Sequence, residues 1–158
     1  LQLDPKNPTV YTEVGNLYAG LDDLDKAREN YQKAQELKSN YYNAYLLEAL
    51  SYEEGNPEKA IEELKKVEEK FPSTTETKYQ LGRIYKAQGE SDLAISYFIE
   101  TLQLSPTHSN ALYSLGLIYE EKGNLETALA AFERVEELNP ENEQVKEKIS
   151  EIKGELEE

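Results

Sequence analysis

The segment Leu81-Gly82-Arg83-Ile84-Tyr85 returns 34 residues later as Leu115-Gly116-Leu117-Ile118-Tyr119. An alanine, a phenylalanine and a proline follow each copy at fixed offsets: Ala94, Phe98 and Pro106, then Ala128, Phe132 and Pro140. Several positions that recur together at one period indicate internal repeats rather than chance identity. The chain is therefore predicted to consist of repeats of about 34 residues.

Within one repeat the apolar residues follow the period of an α-helix. Leu112, Leu115 and Tyr119 lie at i, i+3 and i+7, which places them on one helical face. Gly123-Asn124 then breaks the helix, and the asparagine suits the N-cap of a second helix. Each repeat is predicted to contain two short, antiparallel, amphipathic helices.

This pattern resembles the tetratricopeptide repeat, in which L-G-x-x-Y, A-x-x-x-F and a late proline stand at fixed offsets. The resemblance extends from about Pro8 to Asn142. It implies an all-α fold, a right-handed superhelical α-solenoid of antiparallel helix pairs. It also implies a non-catalytic scaffold that binds a peptide segment of a partner protein in a concave groove.

The period divides the chain into segments. Residues 1–7 are interpreted as the tail of a preceding repeat, because they parallel Leu102-Gln103-Leu104-Ser105-Pro106. The repeats are predicted at 8–40, 41–74, 75–108 and 109–142. Residues 143–158 lose the signature but keep one apolar stripe, which suits a C-terminal capping helix. Half of a fifth repeat, cut off at the end of the chain, is the alternative.

The second repeat is one residue short, because its alanine follows that of the first repeat after 33 residues. Ala49 and Tyr52 fit the small-residue and tyrosine positions if the residue is missing from the turn after the first helix. Leu47 fits better if the helix itself is shifted by one residue. Glu48 falls on or beside the packed face in both cases, so the sequence leaves this register open.

The chain of 158 residues has a formal net charge of -15. Such a field repels phosphate groups, so nucleic acid is not an expected partner. Membrane insertion is not expected either, because no apolar stretch is long enough to span a bilayer. The absence of cysteine excludes disulfides and thiolate sites. A cytoplasmic location is expected, and whether a targeting segment precedes Leu1 stays open.

No pattern of residues points to catalysis, to a metal or to a cofactor. His108 is the only histidine and is expected in an exposed turn, without a second histidine or a cysteine that could share a metal. Adjacent glutamates are expected on solvated helix faces, several with a lysine or arginine three or four residues away. The protein is therefore predicted not to be an enzyme.

The resemblance implies which side chains of the first helices face the groove. The predicted peptide-binding residues are Thr12, Asn16, Tyr45, Tyr79, Arg83, Lys86, Tyr113, Leu117 and Glu120. Tyrosine offers a broad apolar face with a polar tip, and Arg83 and Lys86 could hold a carboxylate or a carbonyl group. Tyr79 and Tyr113 are expected to lie outside the packing of the signature residues. The carboxylate clamp of chaperone-binding tetratricopeptide domains is not expected, because only Asn16 matches it.

Two other functions stay open. The repeats could be an accessory or regulatory segment of a larger enzyme. They could also self-associate through the face of the N-terminal repeat. The fold hosts all of these functions, so the pattern alone does not separate them.

Overall fold

The computed structural model describes residues 5–157, which form nine α-helices and no β-strand. The helices are α1 (Pro8–Gly20), α2 (Leu24–Leu37), α3 (Tyr42–Leu50), α4 (Pro57–Lys70), α5 (Thr75–Ala87), α6 (Ser91–Leu104), α7 (Ser109–Glu121), α8 (Leu125–Leu138) and α9 (Glu143–Leu156). The predicted all-α helical-repeat class is confirmed. The segment predicted as the tail of a preceding repeat lies partly outside the described residues.

Asparagine side chains fix the start of several helices. Asn7, Asn56, Asn124 and Asn142 each accept a hydrogen bond from a backbone N–H in the first turn of the helix that follows. Such a cap contributes about 1 kcal/mol. The predicted cap of α8 is confirmed, because the Thr127 N–H donates to Asn124 Oδ1 at 3.2 Å.

In repeats 1, 3 and 4 the turn between the paired helices contains one residue with a left-handed backbone. Gly89 and Gly123 supply it in repeats 3 and 4, with φ of 79° and 72°. Asp22 occupies the equivalent position of repeat 1 with φ of 61°. Glycine has no Cβ to clash there, and aspartate is one of the few other residues that visit this region routinely.

Contacts between Cα atoms divide the chain within α5 into two units, Leu1–Thr77 and Lys78–Glu158, which are described separately. In unit 1, α1 packs against α2, α2 against α3, and α3 against α4. In unit 2, α6 packs against α7, α7 against α8, and α8 against α9. The core of each unit therefore lies between helices that are mainly consecutive in the chain.

The structure settles the register of repeat 2. The helix α3 has 9 residues, whereas α1 and α7 have 13, and Ala49 is buried at the small-residue position. The missing residue therefore belongs to the turn after Leu50. Glu48 lies beside the packed face, where its carboxylate accepts hydrogen bonds from Gln32 Nε2 at 2.6 Å and Gln35 Nε2 at 2.5 Å.

A close approach of the paired helices explains the glycine of the signature. A Cβ atom built on Gly116 would lie 2.8 Å from two ring carbons of Phe132. The equivalent pairs in the other repeats are Gly15 with Tyr31 and Gly82 with Phe98. In repeat 2 the same two positions hold Ala49 and Leu64, both buried. Where alanine replaces the glycine on one helix, leucine thus replaces the larger aromatic residue on the other.

The last helix completes the core of unit 2. Its apolar stripe packs on α8 in one buried cluster of six residues, Ala128, Phe132, Val135, Val145, Ile149 and Ile152. Lys153 Nζ adds an ion pair across the two helices to Glu133, at 2.8 Å. Most polar positions of α9 stay exposed. That the repeats require α9 as a cap stays a prediction, which mutation can test.

Candidate peptide-binding surface

Tyr79 and Tyr113 are both half-buried, and both contact a signature phenylalanine. The Tyr79 ring lies 5.9 Å from the Phe98 ring, and the Tyr113 ring lies edge-on to Phe132 at 5.4 Å, centroid to centroid. The expectation that these tyrosines lie outside the signature packing is wrong. Each ring covers a buried phenylalanine with one part of its surface and leaves the rest accessible.

His108 differs from the exposed turn residue that was expected. Its Nδ1 accepts a hydrogen bond from the Ala111 N–H at 3.2 Å, which makes it the N-cap of α7. Its ring also lies 4.7 Å from the ring of Tyr79. The imidazole is half-buried and has a structural role, as a cap and as a neighbour of a predicted binding residue.

Tyr113 lines a cavity of about 260 Å³ in unit 2, here called the Tyr113 cavity. The other lining residues are Ser109, Asn110, Val135, Asn139, Asn142 and Gln144. They come from the start of α7, the end of α8 and the start of α9. Among residues 5–157, the carboxamides of Asn110, Asn139 and Gln144 make no hydrogen bond to another protein group. The repeat signature does not identify these residues, because they lie at helix ends and outside it.

The predicted cations of α5 are half-exposed. Arg83 Nε donates to Gln80 Oε1 at 2.7 Å, which orients the guanidinium along its own helix. On the same helix Lys78 forms an ion pair with Glu100 at 2.6 Å. The cations of α5 are therefore partly engaged with neighbouring side chains, in agreement with a very acidic environment.

Leu117 and Glu120 have clear contacts in unit 2. Leu117 packs against the buried cluster shared by α8 and α9. Glu120 Oε1 accepts from Lys148 Nζ at 2.8 Å, joining α7 to α9. This hydrogen bond raises the pKa of the Lys148 ammonium above its usual value. Both residues thus contribute to the packing of the C-terminal helices.

Three predicted residues lie in unit 1. Thr12 is only 5% exposed and donates its hydroxyl to the Thr9 carbonyl at 2.8 Å, so placing it on a binding surface was wrong. Asn16 is exposed, and its Oδ1 accepts from the Tyr31 hydroxyl at 2.9 Å. Tyr45 lines a cavity of about 190 Å³, where the Lys70 ammonium lies 2.7 Å from its hydroxyl and 4.1 Å from the ring centroid.

Three family models for the tetratricopeptide repeat match the sequence, at residues 8–41, 43–74 and 79–143. The chain belongs to the tetratricopeptide-repeat family. Tetratricopeptide-repeat proteins bind protein or peptide partners and are generally non-catalytic scaffolds, so a role in protein–protein interaction is supported.

Solved tetratricopeptide-repeat structures resemble the chain along most of its length. A crystal structure of MamA protein is 28% identical with a TM-score of 0.75, and the match covers 93% of this chain and 82% of that one. YrrB, described as a TPR protein with an unusual peptide-binding site, is 25% identical with a TM-score of 0.68 over 92% and 75%. PilF from Pseudomonas aeruginosa shares the fold, with 22% identity and a TM-score of 0.78 over 92% and 67%. A search of curated proteins finds no match.

Neither a metal-binding cluster nor a membrane-spanning helix occurs within residues 5–157 of this tetratricopeptide-repeat chain. No group of three or more His, Asp or Glu side chains there could hold a metal ion. No helix in that range is long and apolar enough to cross a membrane.

Proposed function

We propose that this protein is a non-catalytic scaffold that binds a peptide segment of a partner protein, and that unit 2 supplies the main binding surface. The surface comprises Tyr79, Arg83, Lys86 and the residues of the Tyr113 cavity. The observation that carries the proposal is this cavity, where an aromatic ring meets three carboxamides that make no hydrogen bond to another group among residues 5–157. Leu117 and Glu120 hold the helices of unit 2 together.

Carboxamides suit the recognition of a peptide backbone. Each one offers an acceptor oxygen and two N–H donors, so it can bind both the carbonyl and the N–H of an extended chain. Asn110, Asn139 and Gln144 can do so without first breaking a hydrogen bond within the described part of the chain. The partly covered Tyr113 ring is already held against Phe132, so it loses little side-chain entropy when an apolar anchor packs on it.

Charge narrows the class of peptide. Arg83 and Lys86 are half-exposed cations in a chain of net charge -15. A carboxylate of the peptide would gain charge-assisted hydrogen bonds there. We therefore propose a neutral-polar or acidic segment with one aromatic or aliphatic anchor. Basic peptides would instead bind weakly to the acidic surface, with a steep dependence on salt.

In unit 1, Asn16 and Tyr45 contribute separately to the proposed peptide binding. The Oδ1 of Asn16 is occupied by the Tyr31 hydroxyl, which directs the two Nδ2 donors elsewhere. A peptide carbonyl is the group that these donors would bind. Tyr45 is held by Lys70 and presents part of its ring at the edge of a cavity.

The test is the selection of peptide ligands from a random 12-residue library, followed by affinity measurements on variants. We expect Tyr113→Ala to weaken the selected ligands by roughly 5- to 30-fold, as loss of an interface anchor does. Asn139→Ala and Gln144→Ala are expected to weaken them severalfold without a change in helicity. Gln103→Ala, an exposed carboxamide on α6, is the matched control and is expected to bind normally.

Two results would contradict the proposal. One is the selection of ligands whose affinity is unchanged by Tyr113→Ala, Asn139→Ala and Gln144→Ala. The other is a selection that yields only basic peptides whose binding disappears at moderate salt. Either result would move the binding site away from the Tyr113 cavity.

A further inference from the structure

A cavity of about 280 Å³ lies in unit 1 beside the C-terminal end of α3 and is here called the Ser51 cavity. Its apolar lining residues come from α1, α2 and α3 and are Ala19, Leu24, Tyr31, Leu47 and Leu50. The remaining lining residues are Asn16, Ser51 and Glu54. The cavity is slightly smaller than the roughly 300–1,000 Å³ pockets of drug-sized ligands, so it suits a single apolar side chain.

Repeat 2 has a serine at this cavity where the later repeats have isoleucine. In the register fixed by Ala49, Ser51 stands at the position of Ile84 in repeat 3 and of Ile118 in repeat 4. Those isoleucines are only 1% and 0% exposed. The Ser51 hydroxyl donates to the Glu48 carbonyl at 2.6 Å, so it turns back onto its own helix. Repeat 2 therefore lacks the side chain that is long enough to fill this space.

Two polar side chains of the Ser51 cavity have groups that a ligand can use. Asn16 accepts the Tyr31 hydroxyl at its Oδ1, at 2.9 Å, whereas its Nδ2 makes no hydrogen bond within residues 5–157. The exposed carboxylate of Glu54 makes neither an ion pair nor a hydrogen bond within the same range. The first group suits a peptide carbonyl, and the second suits a cation. Both stand beside apolar walls.

We propose that the Ser51 cavity binds one aliphatic or aromatic side chain of a partner peptide that has a lysine or arginine next to this side chain. The inference rests on the proposed function, because the occupant is a peptide, and it adds a second anchor site with its own charge preference. The side chain gains affinity by displacing water that apolar walls order poorly. The neighbouring cation pairs with Glu54, and a backbone carbonyl accepts from Asn16.

Charge separates this site from the surface proposed in unit 2. The charged residue that lines the Ser51 cavity is Glu54, whereas unit 2 offers Arg83 and Lys86. A chain of net charge -15 also attracts a cationic segment over a distance. The apolar anchor adds the specificity that this general attraction lacks. The two sites therefore prefer peptides of different charge and can be tested independently.

The experiment selects ligands of the full 158-residue chain from a 12-residue peptide library that has a fixed central leucine–lysine pair. Affinities are then measured by fluorescence anisotropy. We expect ligands that bind Ser51→Ile at least tenfold more weakly, because the isoleucine fills the cavity, and that bind Tyr113→Ala like the parent chain. Replacing the leucine of the peptide by serine is expected to cost at least tenfold. Replacing its lysine by glutamine is expected to cost severalfold in the parent chain and little in Glu54→Gln, because paired charges couple.

Matched controls are Ser96→Ile, at an exposed serine of α6, and Glu121→Gln, at the position in repeat 4 that corresponds to Glu54. Both are expected to bind like the parent chain. Circular dichroism checks that Ser51→Ile is folded, and Leu47→Ser, which removes an apolar wall instead of filling the cavity, is a second variant expected to weaken binding.

Three results would overturn the inference. One is a library that yields no ligand. Another is a set of ligands whose affinity is unchanged by Ser51→Ile and Leu47→Ser. The third is binding that survives the change of the peptide leucine to serine, because that binding would be the general attraction of a cation to an acidic chain. Ligands that depend on Tyr113 but not on Ser51 would overturn this inference while supporting the proposed function of unit 2.

Discussion

The contact between Gly116 and Phe132 gives a sharp test of how the paired helices pack. In Gly116→Ala the new Cβ would lie 2.8 Å from two ring carbons of Phe132, whereas ordinary contacts of this kind begin at about 3.4 Å. Phe132 is completely buried, so its ring cannot swing into solvent. The helices or the ring must shift by several tenths of an ångström, and overpacking of this kind costs about 1–3 kcal/mol.

Alanine also has an opposing effect, because it stabilises a helix by about 0.5–1 kcal/mol relative to glycine. Gly154→Ala isolates that gain, since no atom apart from the chain neighbours and the helix's own backbone lies within 4 Å of a Cβ built at Gly154 in α9. We expect Gly154→Ala to raise the free energy of unfolding slightly and Gly116→Ala to lower it. The difference between the two variants measures the cost of overpacking. Urea unfolding followed by circular dichroism provides both values.

Repeat 2 suggests a compensating change. It holds Ala49 and Leu64 where repeat 4 holds Gly116 and Phe132. The double variant Gly116→Ala with Phe132→Leu reproduces this pair. We expect it to be more stable than the sum of the single effects predicts, by about 1 kcal/mol or more, because contacting residues couple. Additive effects, or a Gly116→Ala variant as stable as Gly154→Ala, would refute this account of the packing.

Three further predictions concern stability. Ile152→Ala is expected to lower the free energy of unfolding by about 2–5 kcal/mol and to reduce solubility, because it opens a cavity between α8 and α9. Glu147→Ala, at an exposed position of α9, is expected to change neither quantity. Urea unfolding and light scattering test both variants. Asn124→Ala removes the cap of α8 and is expected to cost about 1 kcal/mol in the same urea assay. Burial raises the pKa of the Tyr31 phenol above its usual value of 10.0. The contribution of the neutral phenol to the free energy of unfolding is therefore fully present below about pH 10 and is lost as the pH rises through the raised pKa. Tyr31→Phe is therefore expected to lose less stability than the parent between pH 9 and pH 11, as urea midpoints at the two values would show.

The repeat signature predicted the helices well because its residues are the ones that pack the two helices of each repeat together. Gly82, Gly116 and their phenylalanine partners recur at a fixed offset, since each pair fills the same contact between two helices. Repeat 2 could not be placed from sequence, because a one-residue deletion is compatible with two registers until the helices pack. Burial of Ala49 decides the question, and the carboxylate of Glu48 finds two glutamine partners beside the packed face.

The candidate surface was predicted less well, for a physical reason. Positions on the first helices were assigned from family geometry, which says where a side chain starts but not what it contacts. Thr12 illustrates this, because its short side chain is buried and bonded to its own helix. The carboxamides of Asn139 and Gln144 lie at helix ends that come together only in the folded chain, so no local pattern could identify them.

The dual role of the tyrosines affects how any binding experiment on this protein is interpreted. Tyr113 contacts Phe132 and also lines the cavity, so Tyr113→Ala removes a packing contact and a binding contact together. Weaker binding of a ligand to this variant would then have two equally good explanations. Either the packing of α7 on α8 is loosened, or the aromatic contact with the ligand is lost. Asn139 and Gln144 separate the two effects, because neither carboxamide makes a hydrogen bond to another of residues 5–157, so each can be truncated with little change in folding energy. Loss of affinity in those two variants at unchanged stability is therefore the stronger evidence that the Tyr113 cavity holds the peptide.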